Sequence, residues 1–192
     1  MIVEIVGYKE SWTAEFGQRA RHLRASLGAA ALRIDHVGST AVSGLAAKDC
    51  LDVQISVAGD AGLEAATEAL AACGYVHIAE NGRDHVPAGA PADEHQWRKR
   101  FFREPPGERR ANIHVRVDGS ANQRYALLFR DYLRAHRDAA AAYERLKREI
   151  ASRHGDDLAA YVEIKDPACD LIVFAAERWA SACGWAPGDS DG

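Results

Sequence analysis

Residues 36–54, His36-Val37-Gly38-Ser39-Thr40-Ala41-Val42-Ser43-Gly44-Leu45-Ala46-Ala47-Lys48-Asp49-Cys50-Leu51-Asp52-Val53-Gln54, decide how this chain is read. Leu32 and Ile34 lead a strand into a Gly-Ser-Thr turn, a short linker carries Lys48, and a second strand opens on an aspartate. Alternation puts Leu51, Val53, Ile55 and Val57 on one face of that strand and Asp52 and Gln54 on the other. Turn amides and hydroxyls of Gly38, Ser39 and Thr40 are suited to close on phosphate oxygens. An acid at the start of the next strand is suited to hold a divalent metal beside them. That is the site logic of phosphoryl and nucleotidyl transfer. Helix capping and a tight corner explain a lone Gly-Ser-Thr equally well. The stretch is not a P-loop, because Gly44 precedes Leu45 and Lys48 comes four residues late.

Outward from this stretch, the pattern alternates strands and helices and then turns wholly helical. Residues 2–7 read as extended. Trp12, Phe16, Ala20, Leu23 and Leu27 recur at helical spacing before Gly28. Asp60 is positioned to cap a helix running through Cys73 to Gly74. Strands are predicted at 75–79, 97–103 and 111–117, with a polar, Gly- and Pro-rich loop over 80–96 as a candidate lid. From 121 to 182 the chain reads helical, with one stripe over Tyr125, Leu128, Phe129, Tyr132 and Leu133 and another over Ala142, Leu146 and Ile150. A third apolar helix carries Leu171, Ile172, Phe174, Ala175 and Trp179, and residues 187–192 read as a frayed tail. The expected architecture is α/β (α+β): one domain over 1–186, a small mixed sheet with helices on one side and an appended C-terminal helical bundle.

Composition narrows the function classes. With 192 residues, 47% hydrophobic and 27% charged, the chain has the make-up of one soluble globule. A formal net charge of −4 argues against broad nucleic-acid binding, which needs a net basic face, and leaves room for a local basic cleft. Cys50, Cys73, Cys169 and Cys183 form no C-x-x-C pair, so they read as reduced thiols of a cytoplasmic protein. No signal peptide or long apolar span is present, and no membrane association is expected.

Several residues outside the opening stretch are candidates for chemistry. A buried Asp52 needs either a metal or a basic partner. Gln54 takes the next position on its face, where a two-metal site would want a second carboxylate. His114 shares the polar face of its strand with Asn112 and Arg116, as a satisfied imidazole or, with Asp52, as a metal ligand or general base. His36 is placed to orient the turn. In the run Arg98-Lys99-Arg100 with Arg103, alternation puts Arg98 and Arg100 on one face and Lys99 and Arg103 on the other. A solvated edge strand explains this run, or Arg100 is aimed inward. Arg130 and Arg134 lie one turn apart, on an exposed face or around a shared anion.

Together these residues resemble the GrpB family, also grouped as UPF0157. The matching pieces are Trp12 with Phe16, His36-Val37-Gly38-Ser39-Thr40-Ala41-Val42-x-Gly44-Leu45-x-x-Lys48-x-x-x-Asp52, Arg100-Phe101-Phe102 and Ile113-His114-Val115. Further on are Phe129-Arg130-Asp131-Tyr132-Leu133-Arg134, Tyr143 with Leu146-Lys147, and Tyr161 with Lys165. The resemblance implies a nucleotidyltransferase fold of the polymerase-β superfamily. Gly38-Ser39 and Asp52 match that superfamily's pattern, Gln54 departs from it at the second acid, and His114 stands where a third acid would be. Within that fold the residues are expected to bind a nucleoside triphosphate or related phosphorylated small molecule, and transfer of a nucleotidyl group to a small-molecule acceptor is the reaction that fits best if catalysis occurs. Asp52 and His114 would act as catalytic residues and hold Mg or Mn. Gly38, Ser39, Thr40, Lys48, Arg100, Arg130, Arg134 and Lys147 would hold the phosphates, with Lys165 nearby. The alternative is a non-catalytic nucleotide- or CoA-related binding or folding-accessory module, of the kind fused to dephospho-CoA kinase, with a CoA-pathway kinase as protein partner.

Overall fold

The computed structural model describes residues 2–90 and 93–192. Five strands form one mixed sheet: β1 (Arg33–Val37), β2 (Leu51–Val57), β3 (Val76–His77), β4 (Lys99–Arg103) and β5 (Ala111–Val117), in the order β1-β2-β5-β4-β3. Only β2 and β5 run parallel. The odd residues of β2 and β5 point to one face, where Leu51, Val53, Ile55, Ile113 and Val115 are buried beneath helices α1 (Ser11–Leu27) and α2 (Gly59–Ala72). Trp12, Phe16, Ala20, Leu23 and Leu27 of α1 and Leu63, Ala66 and Leu70 of α2 close that core. Period two in the strands and period 3.6 in the helices thus meet on one surface.

The opposite face carries the polar half of the same alternation. The register stacks it into three cross-strand rows: Asp52–Asn112–Arg103, Gln54–His114–Phe101 and Ser56–Arg116–Lys99. Helices α3 (Ala121–Ala135), α4 (Arg137–His154) and α5 (Leu158–Cys183) gather over this face. They pack around Val42, Leu45, Phe129, Leu133, Tyr143, Cys169 and Val173, so the linker after the Gly38 turn belongs to the bundle rather than to the first core. The mixed α/β sheet and C-terminal helical bundle expected from the pattern are both present. Among the described residues, no helix is long and apolar enough to cross a membrane.

Local departures from the expected elements have physical causes. Among the described residues, 2–7 make one bridge, Val6 to Ala47. Helix α2 starts one residue before Asp60, which pairs with Arg98 instead of capping. The loop expected over 80–96, of which 91 and 92 lie outside the described residues, carries two short 3-10 turns and drops Asp84 onto the sheet. In α5 the bundle is met by the smaller residues Cys169, Val173, Ala176 and Ala180, which allow close approach, while Leu171 and Phe174 face outward. The tail expected to fray instead lies along β1: Arg33 Nη1 donates to Gly188 O (2.8 Å) and Ile34 N to Ser190 Oγ (2.9 Å).

His36 joins the two halves. Its ring stacks on Phe16 (centroids 4.6 Å apart, 3° between planes), and Nε2 meets Thr40 Oγ1 at 2.9 Å. Burial pushes its pKa down to about 4, against the pull of the Asp52 and Asp191 charges. Between about pH 6.5 and 4 the unfolded chain therefore takes up a proton that the native state refuses. The contribution of His36 to stability should fall as the pH drops through that window, by an amount on the order of 3 kcal/mol, and be flat above it. Urea midpoints measured across the window should show this slope, and His36→Gln should remove about half of it, because burial holds His114 down to about 4 in the same way. Phe102, fully buried between the sheet and α2, should cost about 3–5 kcal/mol when changed to Ala.

Candidate functional site

A cleft of about 600 Å³ lies between the polar face of the sheet and the bundle. Its floor is built by the Gly38 turn. Gly38 sits at φ +69°, and a Cβ there would fall 2.4 Å from Asp52 Oδ2, so both backbone conformation and space demand glycine. Asp52 is thereby held against the turn backbone. Asn112 Nδ2 donates to its Oδ1 (2.6 Å), and His114 Nε2 lies 3.9 Å from the same oxygen. Burial raises the Asp52 pKa, but His114, Asn112 and the charge of Lys48 outweigh it and hold the carboxyl below its ordinary value. Burial, followed by the charge of Arg116, pushes His114 down to about 4. At neutral pH the pair is an ionised carboxylate and a neutral imidazole, the forms in which both groups bind metals.

That donor set fits one divalent cation. Ligand bonds of roughly 2.0–2.3 Å can span two donors 3.9 Å apart. Among the described residues no group of three or more His, Cys, Asp or Glu is placed to hold a metal, so further ligands would come from water or from a bound anion. The second-acid position builds no further site. Gln54 is fully buried, with Oε1 accepting from Arg116 Nη1 (2.6 Å) and Nε2 donating to Gln123 O (3.2 Å).

Besides Lys99 of β4, three lysines enter the same cleft, from the linker after the turn, from α4 and from α5. Lys147 of α4, buried, donates to Ser39 Oγ (2.9 Å) and Ala46 O (2.5 Å) over the ring of Tyr143, and burial lowers its pKa to about 7. Lys48 lies 5.4 Å from the ring centre of Tyr161, its pKa lowered by burial. Lys165 of α5 reaches Asp166 Oδ1 at 3.0 Å. Of the described residues lining the cleft, seven are Lys or Arg and three are Asp, in a chain whose net charge is −4. The basic character of the protein is thus concentrated where a ligand would sit.

The cleft brings together Gly38, Ser39, Thr40, Lys48, Asp52, His114 and Lys147. It does not include Arg100, Arg130 or Arg134. Strand alternation points Arg100 to the other face, where it pairs with Glu64 of α2. Arg130 is buried behind the turn, donating to His36 O (3.1 Å), Asp131 (2.7 Å) and Asp191 (2.6 Å), and Arg134 Nε donates to Ala41 O (3.0 Å). Both brace the turn from outside. The arginines and lysine that do enter from the sheet are Lys99, Arg103 and Arg116. Asp84, which no sequence pattern marks, receives Lys99 Nζ (2.7 Å), Arg116 Nε (2.8 Å) and Asn122 Nδ2 (2.9 Å), and Arg116 and Lys99 hold its carboxyl far below the usual range against the effect of burial. The signal for Lys99, Arg103 and Arg116 was the alternation itself, since they share faces with Phe101 and His114.

The same chain plan occurs in other proteins. A protein named "Dephospho-CoA kinase" from Mycolicibacterium paratuberculosis is 36% identical over 197 residues, covering 96% of this chain and 48% of that protein. A UPF0157 protein of Bacillus subtilis is 32% identical over 177 residues, covering 92% of this chain and 48% of its own length. The chain therefore spans about half the length of these curated relatives. The crystal structure of the conserved protein GrpB from Enterococcus faecalis superposes with a TM-score of 0.74 at 26% identity, covering 92% of this chain and 99% of that one. The family model described as "GrpB protein" matches residues 2–173, and the chain belongs to the GrpB family.

Proposed function

We propose that the cleft binds a nucleoside triphosphate or a related phosphorylated small molecule together with one divalent cation, Mg or Mn. The observation that carries this is that Lys48 and Lys147 line the cleft beside the Gly38–Ser39 turn and Asp52, with Lys147 Nζ donating to Ser39 Oγ (2.9 Å), while Lys165 next to them is paired with Asp166. Gathering like charges in a partly closed space is unfavourable unless an anion joins them, and phosphate is the anion to which Gly-Ser amides and lysines are matched. Asp52 and His114 would hold the cation. Its contribution when bound would be charge neutralisation at the phosphate oxygens. Ser39, Thr40 and the turn amides would orient the phosphate chain, while Lys48 and Lys147 would stabilise charge developing there. The reaction class such a frame supports is nucleotidyl transfer to a small-molecule acceptor, with neutral His114 as the alternative base.

A second reading is favoured by Gln54. Its amide is fully engaged by Arg116 and Gln123, so the position offers no second metal-binding carboxylate. A non-catalytic module that binds a nucleotide or a CoA-related phosphate, and works beside a CoA-pathway kinase, uses the same cleft without two-metal chemistry. Long relatives that carry this region under the name dephospho-CoA kinase agree with it.

The readings separate in solution. ATP, GTP, CTP, UTP, CoA and dephospho-CoA, each with Mg²⁺ or Mn²⁺, should be compared by thermal shift. A ligand at about 100 times its Kd should add about 2.7 kcal/mol, or roughly 5–11 °C. A shift with release of pyrophosphate supports transfer, and a shift without turnover supports the binding module. No shift with any of them removes both. Lys147→Met should weaken the effective ligand about tenfold or more, as hydrogen bonds to charged groups contribute about 1.5–3 kcal/mol. Gly38→Ala should abolish binding, because the new Cβ displaces Asp52. Asp52→Asn should remove the dependence on Mn²⁺, measured by calorimetry, while the protein remains folded.

A further inference from the structure

The outer edge of β1 has no strand beside it, yet its polar groups are filled. Ser190 Oγ accepts from Ile34 N (2.9 Å) and donates to Ile34 O (2.9 Å), taking the part of a paired strand residue. Asp191 Oδ2 accepts from His36 N (3.0 Å) and from Arg130 Nη1 (2.6 Å), whose guanidinium is only 3% exposed. Gly192 N donates to Ile34 O (3.0 Å), and a Cβ on Gly192 would fall 2.5 Å from Ala20 Cβ. Each position therefore imposes its own requirement: a hydroxyl, then a carboxylate over a buried arginine, then the absence of a side chain. An unpaired strand edge is a template for an extended segment, and these three requirements give it sequence selectivity.

We propose that the edge of β1, with Arg130 at its floor, is a recognition site for an extended Ser-Asp-Gly segment of a partner polypeptide, and that residues 188–192 occupy it in cis. The occupant is tied to α5 through Pro187 and Gly188, so it competes with any incoming segment at an effective concentration near millimolar. The site backs directly onto the phosphate turn, because His36 and Arg130 contact the segment on one side and Thr40 and the His36 carbonyl on the other. It does not depend on the ligand proposed for the cleft.

The test uses the full chain carrying Ser190→Ala and Asp191→Ala, which empties the site without touching the sheet. A fluorescent, C-terminally amidated peptide Ala-Pro-Gly-Asp-Ser-Asp-Gly should bind this variant saturably in anisotropy. It should bind the wild-type chain about tenfold more weakly or less, because the tail competes. Replacing the second Asp of the peptide by Ala should abolish binding. Hydrogen exchange should show the Ile34 and His36 amides deprotected in the variant and reprotected by the peptide, a readout that holds even where the variant is less stable. Absence of saturable binding at millimolar peptide, or binding indifferent to the Asp→Ala change, overturns the proposal. So does a wild-type dimer in sedimentation that the double variant loses, since the occupant would then be a second copy of this chain.

Discussion

The approach of the Asp52 carboxylate to the backbone of Gly38 is the constraint on which the rest of the site depends. Antiparallel pairing of β1 with β2 sets Val37 opposite Asp52, which brings the first acid of β2 beneath the turn that leaves β1. There is no room for a side chain at Gly38, and its positive φ turns the chain so that Ser39 faces Lys147. Moving the register by one residue would send Asp52 into the α1–α2 core and Leu51 into the cleft. The apolar alternation of β2 therefore fixes the chemistry of the polar face: Leu51, Val53, Ile55 and Val57 must be buried, and Asp52 has one place left to go.

Charge balance distinguishes two regions of the cleft. At the inner end, Lys99 and Arg116 have their counter-charge built in, because Asp84 and the Gln54 carbonyl accept from them. That cluster is satisfied as it stands and contributes rigidity more than affinity. At the turn end, Lys48 and Lys147 touch hydroxyl, carbonyl and aromatic faces but, among the described residues, no carboxylate within ion-pair distance. Burial lowers the pKa of both, which is the cost of holding charge without a partner. An incoming anion would reverse that cost only at this end, so in the proposed reading the unbalanced lysines, rather than the larger number of cations overall, would locate the ligand. The aromatic rings beneath them let the ammonium groups be retained in the meantime.

Period and spacing made most of the sheet and bundle legible in the sequence. The alternation in β2 and β5 identified which residues share the cleft, and the Gly-Ser-Thr turn located the floor. What escaped was set by contacts distant in sequence. The basic run leaves open whether Arg100 is aimed inward, although alternation separates it from Lys99 and Arg103; Glu64 on α2 holds it on the opposite face. Arg130 and Arg134 carry no periodicity signal that distinguishes bracing a turn from lining a pocket, because either role needs a cation on the same helix face. Asp84 sits in a loop rich in Gly, Pro and Ala, where nothing in the local pattern marks one acid over another, and its role follows only from the arrival of Lys99, Arg116 and Asn122 from three separate elements.

His36 shows why the misplaced arginines still matter to the site. Its ring lies on Phe16 of α1, its Nε2 meets Thr40 in the turn, its carbonyl accepts from Arg130 of α3, and its amide donates to Asp191 of the tail. Four segments thus converge on one residue immediately before Gly38. A protonated His36 would add a third cation beside Arg130 and Arg134, and burial keeps it neutral. The ring nitrogen is thereby left free to pair with the Thr40 hydroxyl as either donor or acceptor, while both backbone groups are held. The position of the turn is therefore fixed from behind by uncharged stacking and by fixed guanidinium bonds. Lys48 and Lys147 lie on the side that faces the cleft. A site arranged in this way can change its protonation or occupancy at Lys147 and Asp52 without moving the backbone that positions them, which is the condition for preorganised recognition of a phosphate.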